Sequence, residues 1–532
     1  MKKPNSNLWS ALRAAFPGTL DDVAIETADG APGRYTWRDL DRATARIANL
    51  LDSLELPAGS RVAVQTEKSV EALMLYLAVV RAGYVYLPLN TAYQAAELEY
   101  FIGDAEPAVV VCTPQRFARI SQMAFRAGTS YVFTLGDDRT GSLLERAVHH
   151  ADTHTPAPRT ADDLAAILYT SGTTGRSKGA MLTHGNLLSN AQTLQRYWGW
   201  RPGDVLIHAL PIFHVHGLFV ASHGALLNGS RMIWFARFDP KGVIARLPEA
   251  TVFMGVPTLY TRLLAEPGLT RDACRNMRVF ISGSAPLLIE TFEAFRERTG
   301  HTILERYGMS ETVMLTSNPY HEADGQRVGG TVGYALPGVS VRVVDGEGTP
   351  CPPDAIGGVE VKGPNVFKGY WRMPEKTKEE FTADGWFKTG DVGRLDASGR
   401  LTIVGRSKDV VISGGFNVYP AEVEGFLNEL PGVQESAVIG VPHPDFGEAV
   451  VAVVVPRGDA QPRPAELIAA LKARIANFKV PKQVFVEAEL PRNTMGKVQK
   501  NLLRARHRQL FEAPSVGPSP PADASTPTPS TA

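Results

Sequence analysis

The sequence predicts an α/β protein in successive regions, and three observations carry that expectation. Short apolar, β-rich runs alternate with helical periods from residue 36 to residue 282. Around 332–362 the pattern changes to short strands with Gly/Pro turns, as in a small β-barrel or meander. After 405–409 about 100 further residues carry strand and helix signals of their own, enough for a separate core.

The elements follow in order. Thr36 and Asp39 make a capping-box start to a helix whose apolar positions are Leu40, Ala43, Ile47, Leu50, Leu51 and Leu54. An apolar strand at 61–65, a buried helix at 70–80, and strands at 84–89 and 108–112 come next. Further strands are predicted at 166–169, 205–209, 232–235, 251–254 and 278–282. Strands separated by helices imply βαβ units and a mainly parallel sheet covered on both faces. Beyond the strand at 401–404, the last region reads as a helix at 420–430, strands at 433–439 and 449–455, and a helix at 465–477. The final stretch from Ala513 is rich in Pro, Ser, Thr and Ala and is expected to be disordered.

Composition narrows the function. At 532 residues the chain suggests about three folding units at roughly 150 residues each. Fifty-five basic residues balance 55 acidic ones. That neutrality gives no electrostatic footprint for nucleic acid or an anionic membrane. No apolar run approaches the roughly 18 residues of a membrane span. The N-terminus has two lysines but no apolar core, unlike a secretory signal. Cys112, Cys274 and Cys351 are too few and scattered for a disulfide framework or zinc site. The expectation is a soluble, cytoplasmic protein.

The strongest local signal is Tyr169-Thr170-Ser171-Gly172-Thr173-Thr174-Gly175-Arg176-Ser177-Lys178-Gly179, directly after a strand. Glycines and small hydroxyl residues let backbone N–H groups curl round an anion, and Lys178 adds charge. It is not a Walker A loop, because the glycine before the lysine is absent. A solvated turn is the bland alternative; the lysine and the preceding apolar strand favour a polyphosphate loop.

This loop resembles the phosphate loop of the adenylate-forming enzymes: acyl-CoA synthetases, luciferases and peptide-synthetase adenylation domains. Their other motifs appear in order. Gly283-Ser284-Ala285-Pro286 resembles the adenine-contacting turn, and Tyr307-Gly308-Met309-Ser310-Glu311-Thr312 the central motif. The segment 385–391, ending in Asp391, is similar to the ribose-binding motif. Arg406 and Lys408 lie in a segment resembling the inter-domain hinge, and Gly414-Gly415 opens the loop after it. Residues 491–497 resemble the motif of the catalytic lysine, here Lys497. The resemblance covers about residues 20–512. It implies a large N-terminal domain (1–407) of two α/β sheet subdomains plus a small β-barrel, a mobile C-terminal domain (408–512) and a tail (513–532).

The implied reaction is attack of a carboxylate on the α-phosphorus of ATP, then capture of the acyl-adenylate by coenzyme A. Glu311 suits Mg²⁺, which takes one or two carboxylates plus phosphate oxygens. Ser310 and Thr312 can donate to the α-phosphate. Tyr307 offers a face to adenine, and Asp391 has the acceptor pair that grips two ribose hydroxyls. The resemblance places Arg406 near ribose and phosphate, Gly414 and Gly415 along the pantetheine tunnel, and Lys408 at the hinge. It assigns Lys497 to the adenylation step, where a lysine acetyltransferase would switch it off.

The segment 210–217 resembles the family's gate between acyl pocket and CoA tunnel, with His214 at the gate; a metal at His214 and His216 lacks a third ligand nearby. The wording of 210–219, 254–264, 281–288, 305–312 with 317–320, 361–377 and 490–501 is similar to one subgroup, the malonyl-CoA synthetases. A malonate pocket needs a cation for the distal carboxylate, because burying that charge unpaired costs several kcal/mol. Arg262, in the second turn of a helix opened by Pro257, is the candidate, with Arg237 a weaker one. The reading is therefore an ATP-dependent malonyl-CoA synthetase, with methylmalonate as a further acid. The alternative is an acyl-CoA synthetase for aryl or medium-chain monocarboxylic acids; a luciferase-like oxygenase would share only the first half-reaction.

Overall fold

A computed structural model describes residues 5–29, 33–170, 177–414, 416–493 and 496–511. Of the sites named above, Ser171, Gly172, Thr173, Thr174, Gly175 and Gly415 lie outside the described residues, as does the tail. The chain divides into two compact units. One is Met1–Lys408 with Asn493–Lys497; the other is Asp409–Arg492 with Val498–Ala532.

The first unit contains two mainly parallel sheets. A six-stranded sheet runs in the order Tyr131–Thr134, Val109–Cys112, Arg61–Gln65, Val85–Pro88, Leu164–Thr170, Lys178–Thr183; only its last strand is antiparallel to its neighbour. A nine-stranded sheet has a parallel centre formed by Leu304–Met309, Val279–Ser282, Val252–Gly255, Val205–His208, Arg231–Trp234 and Val23–Thr27. Its antiparallel flanks are Val313–Ser317 with Tyr334–Ala335 on one side and Arg34–Thr36 on the other. The parallel strands are mostly apolar, as strands covered on both faces are, with Glu305 and Arg306 on Leu304–Met309 the conspicuous buried exceptions.

The helix Val70–Arg81 shows why: every one of its residues is buried. It packs beside Trp37–Asp52, which begins on a complete Thr36–Asp39 capping box. The one cation among its buried positions, Arg81, is neutralised by Asp41 at 2.8 Å. The barrel-or-meander pattern forms a four-stranded antiparallel meander: Ser340–Val344, Gly357–Lys362, Phe387–Leu395 and Leu401–Arg406. It carries Asp391 and Arg406 on adjacent strands.

The second unit has a five-stranded sheet centred on the long hairpin Val433–His443 and Gly447–Pro456. One face is covered by the helices Pro420–Asn428 and Pro464–Lys472, whose Val423, Leu427, Leu467 and Leu471 enter one core cluster. Among the described residues no helix is long and apolar enough to cross a membrane.

Candidate functional site

The site in the first unit is built round the hairpin of Leu304–Met309 and Val313–Ser317. A Cβ at Gly308 would stand 1.9 Å from the carbonyl oxygen of Val313, so only glycine fits there. Val313 itself has φ 57°, a left-handed conformation costly for a β-branched residue. The tight turn between these two positions directs Glu311 and Thr312 inward. Thr312 is buried, and its Oγ1 has no hydrogen-bond partner among the described residues. Glu311 is 5% exposed, and burial holds its carboxyl above the usual carboxylate range. Its Oε1 accepts from the hydroxyl of Tyr370 at 3.0 Å.

A desolvated carboxylate fits a hard cation such as Mg²⁺. Mg²⁺ held by a single carboxylate such as Glu311 would complete its shell with phosphate oxygens. The orphaned Thr312 hydroxyl is a donor suited to one of them.

Lys178 opens the last strand of the six-stranded sheet. Its ammonium lies 4.4 Å from the centroid of the Tyr370 ring and 3.5 Å from a carboxylate oxygen of Glu380. Thr170, at the other end of the loop, donates to the carbonyl of Lys178 at 3.4 Å. Thr170 and Lys178, the two ends of the candidate phosphate loop, are thus pinned by adjacent strands.

Asp391 is almost fully buried and has two partners. Arg406 Nε lies 2.7 Å from Oδ1, and the Tyr307 hydroxyl donates to Oδ2. Arg406 also donates to the carbonyl of Thr389 at 3.2 Å. The three side chains form one fixed acceptor and donor set, suited to a ribose diol. The turn 283–286 follows the strand Val279–Ser282. Ser284 adopts φ 75°, and its hydroxyl lies 3.3 Å from Nδ1 of buried His216.

The acyl side corrects one expectation. Arg262 lies on the helix Pro257–Ala265 as predicted, but it is exposed there. The burial argument that selected it fits Arg306 instead. Arg306 is 2% exposed, and its Nε and Nη2 have no hydrogen-bond partner among the described residues. Burial pulls its guanidinium down to about 9. Burial pushes the neighbouring Glu305 up to about 8, while the Leu287 N–H and the charge of Arg306 pull the other way. One Glu305 oxygen accepts from the N–H of Leu287 at 3.0 Å. His214 is held down to about 4 by burial and then by the charge of Arg306, so it is neutral at physiological pH. Its Nδ1 accepts from the backbone N–H of His216 at 3.3 Å. The His214 imidazole and a buried guanidinium, two of whose nitrogens lack a hydrogen-bond partner among the described residues, stand together beside the turn at Gly283.

The remaining named residues are each locally placed. Lys408 ends the first unit in the turn Ser407–Asp409. Gly414, at φ 59°, donates its N–H to the carbonyl of Phe446. Lys497 is exposed, and its N–H donates to the Asn493 side chain at 2.9 Å.

The two mainly parallel sheets, the phosphate-loop lysine, the buried Glu311 and the Asp391 set define a nucleotide-binding enzyme, and the chain belongs to the AMP-binding enzyme family. The family's main model matches residues 12–371, and the model of its C-terminal domain matches residues 422–497. The chain is similar to a malonate–CoA ligase of Arabidopsis thaliana, 33% identical over 94% of this chain and 89% of that protein. It is 36% identical to a feruloyl-CoA synthase of an Amycolatopsis species, over 88% of this chain and 94% of that one. Among solved structures, ATP-bound MatB from Rhodopseudomonas palustris is 55% identical, with TM-score 0.92, covering 96% of this chain and all of that one (100%).

Proposed function

We propose that the protein is an ATP-dependent malonyl-CoA synthetase, converting malonate, ATP and coenzyme A to malonyl-CoA, AMP and pyrophosphate through malonyl-adenylate. The observation that carries the choice of acid is Arg306. A buried guanidinium with two unpartnered nitrogens is costly unless an anion completes it, and a carboxylate matches its fork. Malonate supplies one carboxylate to Arg306 and leaves the other to attack the α-phosphorus. The likeness to malonate–CoA ligases supports the same acid.

In the first half-reaction the loop after Thr170, with Lys178, cradles the phosphates, and Thr312 and Ser310 donate to the α-phosphate. Glu311 would hold Mg²⁺, which supplies charge neutralisation at the phosphates when bound. Asp391, Tyr307 and Arg406 orient the ribose, and the turn at Gly283, Ser284, Ala285 and Pro286 lies along adenine. Lys497 bridges the attacking carboxylate and the α-phosphate. In the second half-reaction the C-terminal domain turns about Lys408, the loop with Gly414 and Gly415 lines the path of pantetheine, and the thiol passes His214. Acetylation of Lys497 by a lysine acetyltransferase would stop the first step alone. The enzyme is assigned to the cytoplasm.

The likeness to a feruloyl-CoA synthase favours an aryl acid as the second reading. Pyrophosphate release from a panel of malonate, methylmalonate, acetate, butyrate, octanoate and coumarate decides. Malonate as the best substrate supports the proposal; coumarate as the best substrate replaces it.

A further inference from the structure

Glu311 and Lys178 come from different sheets. The carboxylate rides on the hairpin of the nine-stranded sheet and the lysine on the edge of the six-stranded one. Tyr370 touches both: its hydroxyl donates to Glu311 at 3.0 Å, and its ring lies under the Lys178 ammonium at 4.4 Å. Its own position is fixed on several sides. Tyr370 pairs with Ala180 in an antiparallel bridge, two residues from Lys178, and the Trp371 N–H donates to the carbonyl of Gly179 at 2.8 Å. The Tyr370 N–H donates to Thr377 Oγ1 at 2.9 Å, and the ring packs edge-on against Phe367 at 4.9 Å. Tyr370 is 4% exposed, so it has little room to move. The Phe367 N–H in turn donates to the carbonyl of Glu311 at 2.7 Å.

We propose that Tyr370 is a positioning residue that sets the cation-holding carboxylate and the phosphate-loop lysine in register across the two sheets. The hydroxyl fixes which way Glu311 faces, and the ring gives Lys178 an electrostatic seat that survives when its exchangeable partner Glu380 is displaced by phosphate. Glu380 is also held by Lys376 at 3.0 Å, so it keeps a partner when Lys178 leaves it. The proposal rests on the reading of this site as one for ATP and a divalent cation, and is independent of the acid.

The two halves of the side chain separate by substitution. Tyr370→Phe removes the hydroxyl and keeps the ring; Tyr370→Leu removes both. ATP binding to the full chain is measured by calorimetry with Mg²⁺ and again with EDTA, beside Glu311→Gln and the Glu311→Gln/Tyr370→Phe double variant. Tyr370→Phe is expected to bind ATP about tenfold more weakly in Mg²⁺ and unchanged in EDTA, the loss of one hydrogen bond to a charged group. Tyr370→Leu is expected to bind more weakly in both. The double variant is expected to be no weaker than Glu311→Gln, because the hydroxyl acts through that carboxylate. Equal weakening of Tyr370→Phe with and without Mg²⁺, no weakening at all, or additive losses in the double variant would overturn the proposal. If Tyr370→Leu does not fold, the near-isosteric Phe variant still decides. Failure of the unaltered chain to bind ATP would refute the site reading itself, a separate outcome.

Discussion

Gly283 and Arg306 are in contact so close that a Cβ on residue 283 would stand 2.4 Å from the guanidinium carbon. The glycine that opens the turn 283–286 therefore also sets the position of the buried Arg306 guanidinium. Gly283→Ala should push the guanidinium off its place. Expected are a raised KM for malonate and a smaller change in the KM for ATP, with the fold intact by circular dichroism. An unchanged KM for malonate would show that the cation does not face the acid.

Lys497 should serve the first half-reaction and not the second. Fixing the reactants and neutralising their charge can each supply several kcal/mol, so Lys497→Ala should slow malonyl-adenylate formation by at least ~10²-fold. Pre-formed malonyl-adenylate with coenzyme A should still give malonyl-CoA at close to the unaltered rate. Equal slowing of both steps, measured separately, would refute this division.

Buried histidines make the first unit acid-sensitive. Burial holds His184 down to about 4 and His223 down to about 3, and both are essentially inaccessible. Unfolding therefore takes up protons below the ordinary histidine value near 6.5. Stability is fully present above about 6.5 and falls as pH drops from there toward 4, by up to about 1.4 kcal/mol per pH unit for each histidine. His223 Nε2 meets the Tyr76 hydroxyl at 2.8 Å, a contact glutamine can keep. His223→Gln should flatten the slope of melting temperature against pH between 6.5 and 4.5; an unaltered slope would exclude His223 as a contributor.

Much of the candidate nucleotide site is legible in the sequence because its residues sit in linear runs. The motif 307–312 names Glu311 and Thr312 directly, and the strand–loop–lysine pattern marks Lys178. Tyr370 was not legible: it lies 59 residues from Glu311 along the chain and meets it only through the fold. Arg306 adjoins a motif, yet its meaning comes from burial among segments near 214, 260, 283 and 305. Arg262, on the helix Pro257–Ala265, suits the sequence pattern but is exposed in the fold. Among secondary elements, the helix Trp37–Asp52 was readable from its capping box. The helix Ala95–Ala105 was not, since it starts after Gln94 and ends on Glu106 at φ 44°, without the usual start or stop residues.

Whether Arg306 selects a dicarboxylate is read from kcat/KM for malonate and butyrate, on the unaltered chain and on Arg306→Met. Methionine fills similar volume without charge. The unaltered protein should prefer malonate. Arg306→Met should lose at least ~10²-fold on malonate and less than about tenfold on butyrate, as expected when a buried charge-assisted pair is removed, whereas exposed Arg262→Ala should cost malonate less. Equal losses on the two acids, or a preference of the unaltered protein for butyrate, would contradict selection by Arg306.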